Sequence, residues 1–463
     1  MEIPKDFSHY TEQLMGSALY HILADAMQQE APVSIRTNPF KTIGRQFQIP
    51  LQRGPVAWCP NGTYLLSRPN FTFDPLLHAG LYYVQEASSM FLHTVLGQLT
   101  DRPVTMLDLC AAPGGKSTVA RSALPEGSLL IANEPERTRA NILAENISKF
   151  GHADVMVTNN YPRDFRRTRL RFDVILADVP CSGEGMFRKD PGAIAEWSPQ
   201  NVEKCWRLQR EIVRDIWPCL KPGGYLIYST CTFNDKEDEQ NANWIADELG
   251  ATFVRIPTPT DWNITGSLTD ANPMYRFIPG KTEGEGLFMA VLQKDGDGDD
   301  TGRGLKKLSR RVPDKDVPTE WLQQSEQFGF FIEQDEGFAI PERWQEAYLE
   351  ARKALRLMTA GIHIGTRKGH NWIPGQALAL SCSLNKDAFP AVEVTTDQAI
   401  AYLRKETVAL PPDLPRGFTL LTYRDFPLGF EKHLGHRANN LYPAEWRIKS
   451  SHIPETNDQV IAL

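Results

Sequence analysis

The sequence predicts an α/β fold organised around a doubly wound, Rossmann-like sheet. Between residues 96 and 293, apolar segments such as VTMLDL, SLLIAN, DVMVT and FDVILAD alternate with segments of helical periodicity. A Gly- and Asp-rich segment then interrupts this pattern, and short apolar segments separated by turn residues follow it. Strands that alternate with helices form a parallel sheet with helices on both faces, whereas closely spaced short strands form a small β-rich module.

The first 95 residues differ from this pattern because they are mixed in character and interrupted by prolines. They contain SIRTNPFK at 34–41 and AGLYYVQEASSMFLHTVL at 79–96, and the second segment continues into an apolar helical pattern. We therefore expect an N-terminal α+β lobe in front of the sheet.

Proline and glycine mark the ends of two helices within the α/β pattern. Pro135 precedes the helical segment ERTRANILAENISKF, which Gly151 follows, and Ser198 with Pro199 begins a longer amphipathic segment that continues to Leu220. A proline in the first turn and a glycine after the last turn are typical of helix ends.

The segment DGDGDDTGRG at 295–304 has no apolar periodicity and predicts a flexible linker. Beyond it, PERWQEAYLEARKALRL at 341–357 predicts a helix, and ALALSC, AVEVTT and GFTLLTY predict strands of a β-rich module. The predicted division is an N-terminal lobe (1–95), the α/β domain (96–293), a linker (294–304), an intermediate α/β segment (305–365) and the C-terminal module (366–463).

Composition argues against several classes of protein. No apolar segment approaches the ~20 residues that span a bilayer, and the start MEIPKDFSHY is too polar for a secretion signal. The seven cysteines form no C-x-x-C pair, which argues against a disulfide framework and a zinc site. We expect a cytoplasmic monomer with free thiols and no bound metal.

Charge is unevenly distributed along the chain. The net charge of −7 disfavours a nucleic-acid partner, yet RDFRRTRLRF at 163–172 carries five arginines. The C-terminal GFEKHLGHRANNLYPAEWRIK mixes cations with Phe430, Tyr442 and Trp446, on which bases could stack. The arginine segment is open to two interpretations, a nucleic-acid surface or an ordinary solvated face.

The segment MLDLCAAPGGKSTVA at 106–120 ends like a nucleotide triphosphate loop but is not one. The pattern G-x-x-x-x-G-K-[ST] requires glycine at position 110, which is Cys110, and the dinucleotide pattern G-x-G-x-x-G also fails. In an open parallel sheet, ligands bind outside the carboxyl ends of the strands. There the small residues from Cys110 to Lys116 bring backbone N–H groups close to a ligand, and Glu134 can accept both hydroxyls of a ribose.

Two further strands each deliver a cysteine to the same edge of the sheet. Cys181 lies in ADVPCSGEG and Cys231 in YSTCTF, both within polar turns. A buried cysteine is usually a small apolar residue, which is our interpretation of Cys205 and Cys219. Packing alone is a weaker explanation for the pair at the strand ends, and the spacing offers no histidine partners for a metal.

DLCAAPGGKS, DVPCSGEG and YSTCT, with SIRTNP and YVQEASSM upstream, closely resemble the S-adenosylmethionine-dependent RNA cytosine-C5 methyltransferases of the Nop/Sun family. The resemblance covers about residues 30–293. The segment PLGFEKHLGHRANNLYPAEWRI at 427–448 further resembles the PUA-like RNA-binding module of the bacterial ribosomal RNA methyltransferase F type. Together, the two resemblances imply a Rossmann-like methyltransferase sheet with RNA-binding regions on either side.

The resemblance also implies roles for individual residues. Cytosine C5 is a poor nucleophile until a thiolate adds to C6, so a catalytic cysteine is required. Cys231 would be that nucleophile, Cys181 would assist product release, and Asp178 would supply the acid for N3; the residues alone do not rank the two thiols. S-adenosylmethionine would contact Cys110, Ala111, Ala112, Pro113, Gly114, Gly115, Lys116, Glu134, Asn160, Tyr161 and Asp178, with Tyr161 standing where the family usually has an acidic adenine contact.

Three other functions fit part of the sequence but not all of it. A nucleotide triphosphatase would need the missing glycine, an RNA-binding assembly factor without activity would not need both thiols, and a DNA cytosine methyltransferase does not suit the STC cysteine or the C-terminal module. The expected substrate is 16S ribosomal RNA, alone or within the 30S particle. The alternative is the same reaction on another RNA, such as 23S ribosomal RNA or tRNA.

Overall fold

The structure is a computed structural model that describes residues 3–296, 317–450 and 459–463. Most of the predicted linker, from residue 297 to 304, lies outside these ranges. Within them, no helix combines the length and apolar character needed to cross a membrane.

The N-terminal region forms a small α+β unit, as expected. Its sheet has the strand order β2-β3-β1-β4, and its last helix leads into the central sheet. The elements are α1 (Lys5–Met15), α2 (Ser17–Met27), β1 (Ser34–Thr37), α3 (Pro39–Thr42), β2 (Gln52–Pro55), β3 (Gly62–Leu65), α4 (Pro75–His78), β4 (Tyr82–Val84) and α5 (Leu92–Leu99).

The central region alternates strands and helices, and each apolar segment named above between 100 and 293 forms a strand. The elements are β5 (Thr105–Asp108), α6 (Gly115–Ala123), β6 (Leu129–Asn133), α7 (Arg137–Phe150), β7 (Val155–Thr158), a 3₁₀ helix (Pro162–Arg167), β8 (Phe172–Asp178), α8 (Pro191–Glu196), α9 (Pro199–Ile216), β9 (Leu220–Thr230), α10 (Glu239–Leu249), β10 (Ala251–Phe253), β11 (Met274–Phe277) and β12 (Leu287–Lys294). The predicted helix ends hold: Gly151 takes a left-handed conformation after α7, and the Ser198 side chain accepts a hydrogen bond from the Asn201 N–H before α9.

Helices cover both faces of this sheet, which confirms the doubly wound fold. One face packs against α9, α10 and the 3₁₀ helix, and the other packs against α5, α6 and α7. The strand order is β10-β12-β9-β8-β5-β6-β7-β15, and β11 also pairs with β12. The five inner strands are parallel, but β12 and β15 are antiparallel to their neighbours, so the sheet is mixed at its edges.

The region beyond 317 contributes to three sheets. Its elements are β13 (Phe328–Glu333), β14 (Glu336–Pro341), α11 (Gln345–Ala354), β15 (Leu357–Ala360), β16 (Ile362–Lys368), β17 (Asn371–Pro374), α12 (Gln376–Ala379), β18 (Ala391–Glu393), α13 (Thr396–Leu403), β19 (Gly417–Tyr423), β20 (Phe426–His433) and β21 (Ala438–Asn440). Strand β15 extends the central sheet, β13-β14-β16-β17 form a second sheet, and β18-β19-β20-β21 form a third.

Two sequence-based expectations for this region need correction. ALALSC forms the short helix α12 and not a strand, because apolar runs of this length fit a buried helical turn equally well and Leu378 and Ala379 are fully buried there. The predicted boundary at residue 365 falls inside β16, whose sheet continues to Pro374.

The N-terminal lobe and the C-terminal module share one hydrophobic core, which we call the joint core. Its residues from the N-terminal lobe include Ile35, Phe73 and Leu76, and those from the C-terminal module include Ile400, Leu421, Tyr442 and Ile461. The backbones of Gln48 and Ala462 exchange two hydrogen bonds beside it. Tyr442 and Phe430 are each only 1% exposed, so the expectation that bases stack on them is wrong: both rings are core residues.

Candidate active site at the carboxyl ends of the strands

The parallel order of β7, β6, β5, β8 and β9 brings the predicted site residues to one edge of the central sheet. Each segment with predicted chemistry follows the carboxyl end of one of these strands. The segments are Cys110–Lys116 after β5, Glu134 after β6, Asn160 and Tyr161 after β7, Cys181 after β8 and Cys231 after β9, with Asp178 as the last residue of β8.

The loop from Cys110 to Lys116 is held open by neighbouring side chains. Gly114 precedes α6 with a φ of 116°, a conformation that glycine accepts more readily than other residues. Asn146 donates a hydrogen bond to the Pro113 carbonyl at 2.8 Å, and Arg139 donates to the Ala112 carbonyl at 2.9 Å. Burial, with the nearby carboxylate of Glu134, raises the pKa of Cys110 well above its usual value.

The buried carboxylates beside the loop retain acceptor capacity. Glu134 is 2% exposed; its Oε1 accepts a hydrogen bond from the Glu136 N–H, whereas Oε2 finds no hydrogen-bond donor among the described residues. Its Oε2 lies 3.7 Å from the Arg139 guanidinium. A buried carboxylate oxygen without a donor is costly, and a ribose hydroxyl would satisfy it. The residues therefore fit the predicted nucleoside cofactor.

Asp108, the last residue of β5, is a second buried carboxylate beside this loop. Its Oδ2 accepts a hydrogen bond from Ser117 at 2.6 Å, and its Oδ1 has no partner within the described ranges. Burial raises the pKa of Asp108 to about 7.

The residues after β7 differ from the acidic adenine contact that the family usually offers. Both polar atoms of the Asn160 side chain bind the backbone of Arg356, the residue before β15. The Tyr161 side chain points to solvent and is 59% exposed. Asn160 thus anchors the antiparallel edge strand, and its predicted contact with the cofactor stays a prediction.

Asp178 connects the Cys110–Lys116 loop to β9. Lys116 donates to its Oδ2 at 2.9 Å, and the Ser229 hydroxyl donates to its Oδ1 at 2.6 Å. This arrangement fixes the carboxyl group between the loop after β5 and the ends of β8 and β9.

The two predicted catalytic thiols meet in the same crevice. The Sγ atoms of Cys181 and Cys231 are 3.0 Å apart, and the Cys231 N–H donates to the Cys181 Sγ at 3.3 Å. The hydrogen bond with Cys231, together with burial, raises the pKa of Cys181 well above its usual value. All seven cysteines are free, and Cys205 and Cys219 are buried as expected of packing residues. Within the described ranges, no group of three or more potential ligands could hold a metal ion.

A buried network that sequence reasoning missed holds the two cysteine turns together. Glu184 accepts hydrogen bonds from the Phe233 N–H at 2.7 Å and the Asn234 side chain at 3.1 Å. Glu237 accepts from the Ser182 N–H at 3.0 Å and from the same Asn234 amide at 2.8 Å. Each carboxylate therefore joins the turn after β8 to the turn after β9. The detectable signal was an acidic residue shortly after each cysteine.

The upstream motif SIRTNP has a structural role in this site. Arg36, which is 1% exposed, donates to the Thr118 hydroxyl at 2.6 Å and to the Gln85 side chain at 3.0 Å. Asn38 donates to the Phe150 carbonyl at 2.9 Å. These contacts fix the N-terminal lobe against α6 and α7, next to the Cys110–Lys116 loop.

Three family models match the chain. They are described as 16S rRNA methyltransferase RsmB/F, over residues 98–293, N-terminal domain of 16S rRNA methyltransferase RsmF, over 3–87, and Methyltransferase RsmF PUA domain, over 389–448. Together they account for the crevice and for both regions that form the joint core.

Curated relatives match across almost the whole chain. Ribosomal RNA small subunit methyltransferase F of Escherichia coli (strain SE11) is 31% identical over 469 residues, which covers 96% of each chain. The protein of the same name from Aliivibrio fischeri (strain MJ11) is 30% identical over 441 residues, covering 89% of this chain and 90% of the relative.

Solved structures support the fold. A methyltransferase homologue from Pyrococcus horikoshii is 25% identical with a TM-score of 0.52, covering 63% of this chain and 95% of its own. NSun6 from the same organism, solved with the S-adenosylmethionine analogue SFG, is 19% identical with a TM-score of 0.53, covering 64% and 99%. The agreement of fold, crevice and full-length relatives leads to one conclusion: the chain belongs to the ribosomal RNA small subunit methyltransferase F family and is an S-adenosylmethionine-dependent methyltransferase.

Proposed function

We propose that the protein transfers a methyl group from S-adenosylmethionine to C5 of a cytidine in 16S ribosomal RNA, through a covalent cysteine adduct at C6. The observation that carries this proposal is the pair of thiols 3.0 Å apart at the ends of β8 and β9. Methylation of an exocyclic nitrogen or a ribose hydroxyl needs no thiol, whereas cytosine C5 becomes nucleophilic only after a thiolate adds to C6.

The proposed chemistry assigns a step to each residue. The Cys231 thiolate forms a bond to C6, the C5–C6 π electrons shift toward N3, and N3 takes up a proton through Asp178, which the paired Lys116 ammonium replenishes. S-adenosylmethionine, when bound, supplies the electrophilic methyl group for C5. Cys181 or a group that it positions then accepts the C5 proton, which restores the C5–C6 double bond and expels the Cys231 thiolate, and N3 returns its proton to Asp178. Cys181, in contact with Cys231, is assigned to this release.

The surrounding residues keep these groups in place. The pairing of Lys116 and Ser229 with Asp178 holds the acid at the rim of the loop after β5. The Glu184–Asn234–Glu237 network fixes both cysteine turns, so the thiols keep their separation without a covalent link. We assign the Cys110–Lys116 loop and Glu134 to the cofactor.

The RNA substrate is supported by the family. The relatives are named ribosomal RNA small subunit methyltransferases, and the PUA match at 389–448 lies where cations and short strands were predicted. We propose 16S ribosomal RNA or the assembled 30S particle as substrate, and the cytoplasm, whose reducing conditions suit seven free cysteines, as the location.

Bisulfite sequencing tests this proposal. RNA from cells with and without the gene should differ in 5-methylcytosine at one or a few positions of 16S ribosomal RNA. Purified protein should restore the mark on 16S RNA or on 30S particles from the deletion strain. If the protein restores the mark only on 23S ribosomal RNA or tRNA, that RNA is the substrate and 16S ribosomal RNA is not. Unchanged 5-methylcytosine in every RNA would refute the proposed C5 methylation.

A further inference from the structure

The arginine segment between β7 and β8 forms an exposed basic surface that the proposed reaction does not use. The 3₁₀ helix Pro162–Arg167 turns Pro162 and Phe165 inward, and Phe165 is fully buried. The side chains of Arg163, Arg166, Arg167 and Arg169 are therefore presented to solvent.

Helix α9 enlarges this surface, because it packs beside the 3₁₀ helix. The guanidinium groups of Arg210 and Arg214 lie over the Trp244 ring at 5.1 Å and 4.7 Å from its centroid. Arg166 donates to the Arg214 carbonyl at 2.7 Å, which joins the two arginine groups. We call Arg163, Arg166, Arg167, Arg169, Arg210 and Arg214 the arginine surface.

Nearby carboxylates neutralise only part of this charge. Arg166 pairs with Asp215 at 3.2 Å and Arg167 pairs with Asp164 at 3.5 Å. In the part of the chain that the structure describes, Arg163 and Arg169 form no ion pair within 4 Å, although the Arg169 N–H donates a hydrogen bond to the Glu350 carboxylate at 3.0 Å. The segment from 161 to 172 holds five arginines and one acidic residue, although the whole chain carries a charge of −7. The excess of cations is thus local.

An exposed aromatic ring stands at the end of this surface that faces the crevice. Tyr161 is 59% exposed and lies 5.5 Å from the Arg163 guanidinium. An exposed ring beside a guanidinium group suits an unpaired base and its phosphate, because bases stack on aromatic rings and phosphates bind arginine.

We propose that the arginine surface binds the sugar–phosphate backbone of the RNA substrate outside the crevice, with an unpaired base on Tyr161. This inference rests on the proposed function only in taking RNA as the substrate. It adds an RNA contact outside the crevice that is separate from the C-terminal module.

The test compares two charge-matched variants of the full-length protein. R163E/R169E alters the arginine surface, and R102E/R255E alters two other exposed arginines by the same net charge. Affinity for 16S RNA is measured against salt concentration without methyl transfer, so the result does not depend on which atom is methylated. Thermal unfolding confirms that both variants fold.

In R163E/R169E, the slope of log binding constant against log salt concentration should become shallower by about 0.7–0.9 for each replaced arginine that contacts a phosphate in the parent protein. In the control variant the slope should not change. In 16S methylation assays, R163E/R169E should raise KM and keep kcat at saturating RNA. Equal losses in both variants, or an unchanged slope in R163E/R169E, would overturn the proposal. The proposal would also be overturned if R163E/R169E bound 30S particles more weakly but naked RNA normally, because the arginine surface would then contact a protein partner.

Discussion

The catalytic crevice and the C-terminal module contrast in how their residues are arranged. In the crevice, each chemical group follows directly after one strand, so the strand order β7-β6-β5-β8-β9 sets where each motif lies along the edge of the sheet. In the C-terminal module, the aromatic side chains that looked like a binding face pack into cores, one of them shared with the N-terminal lobe. Groups placed by strand ends are local in sequence, whereas this core joins residues about 400 positions apart, such as Ile35 and Tyr442.

The strongest test of this contrast removes the C-terminal regions. A chain that ends at residue 296 would expose the N-terminal half of the joint core and leave β7 without its partner β15. We expect it to lose cooperative unfolding in thermal melts followed by circular dichroism. The matched control is Leu421→Ala in the full chain, where one side chain of the joint core should cost about 2–5 kcal/mol without loss of the fold. A cooperative melt of the truncated chain near the parent temperature would show that the two regions are independent.

The next largest effect concerns the thiols of the crevice. Cys231→Ala should lower turnover by a factor of at least about 10³ while cofactor affinity is unchanged, because no other group can add to C6. Cys181→Ala should accumulate a denaturant-resistant complex with RNA, visible on a gel, that the double variant lacks. Cys205→Ala, which alters a buried cysteine of α9, is the control and should behave like the parent. A trapped complex in Cys231→Ala would exchange the two roles.

A smaller effect sharpens the cofactor assignment. Glu134→Ala should weaken S-adenosylmethionine binding by about 1–3 kcal/mol in calorimetry, because the ribose hydroxyls of the cofactor lose the carboxylate that accepts their hydrogen bonds. Glu126→Ala changes an exposed glutamate and serves as the control. An affinity for S-adenosylmethionine unchanged by Glu134→Ala would remove this residue from the site.

The smallest expected effect is on the pH dependence of the free energy of unfolding, which we compare for one buried carboxylate in each region. Burial raises the pKa of both Glu237 and Glu431 to about 7, so the folded chain holds protons that the unfolded chain releases at lower pH. Their contribution to stability is therefore present at pH 4 and lost as pH rises through 7. Glu431→Gln should be more stable than the parent at pH 8 by about 1–3 kcal/mol and similar to it near pH 4.

Glu237→Gln provides the contrast within the same experiment. Its carboxylate accepts three N–H donors, from Ser182, Gln209 and Asn234, and an amide cannot accept them all. We expect it to destabilise the fold at both pH values. The exposed Glu445→Gln is the control, and equal pH profiles for Glu431→Gln and this control would contradict the assigned titration.

The sequence was sufficient for the strands of the central sheet and for the placement of the crevice residues. Apolar runs bounded by glycine, proline and polar turns identify strands, and the parallel order then brings Glu134, Cys181 and Cys231 to one edge. The Glu184–Asn234–Glu237 network was missed because buried carboxylates are rarely expected without a cationic partner. The antiparallel strand β15 depends on long-range pairing, which periodicity does not encode. Tyr442 was misjudged because an aromatic residue among cations suits a core and a binding face equally well.

The joint core fixes a distance as well as a fold. Because the two ends of the chain pack as one body against the central sheet, the C-terminal module has no freedom to swing toward the thiols or away from them. An RNA that touches both must present its cytidine at one separation, which only a particular folded arrangement of the nucleic acid provides. If the proposed RNA substrate contacts both regions, we expect a short oligonucleotide with the correct sequence to be methylated less well than folded 16S RNA.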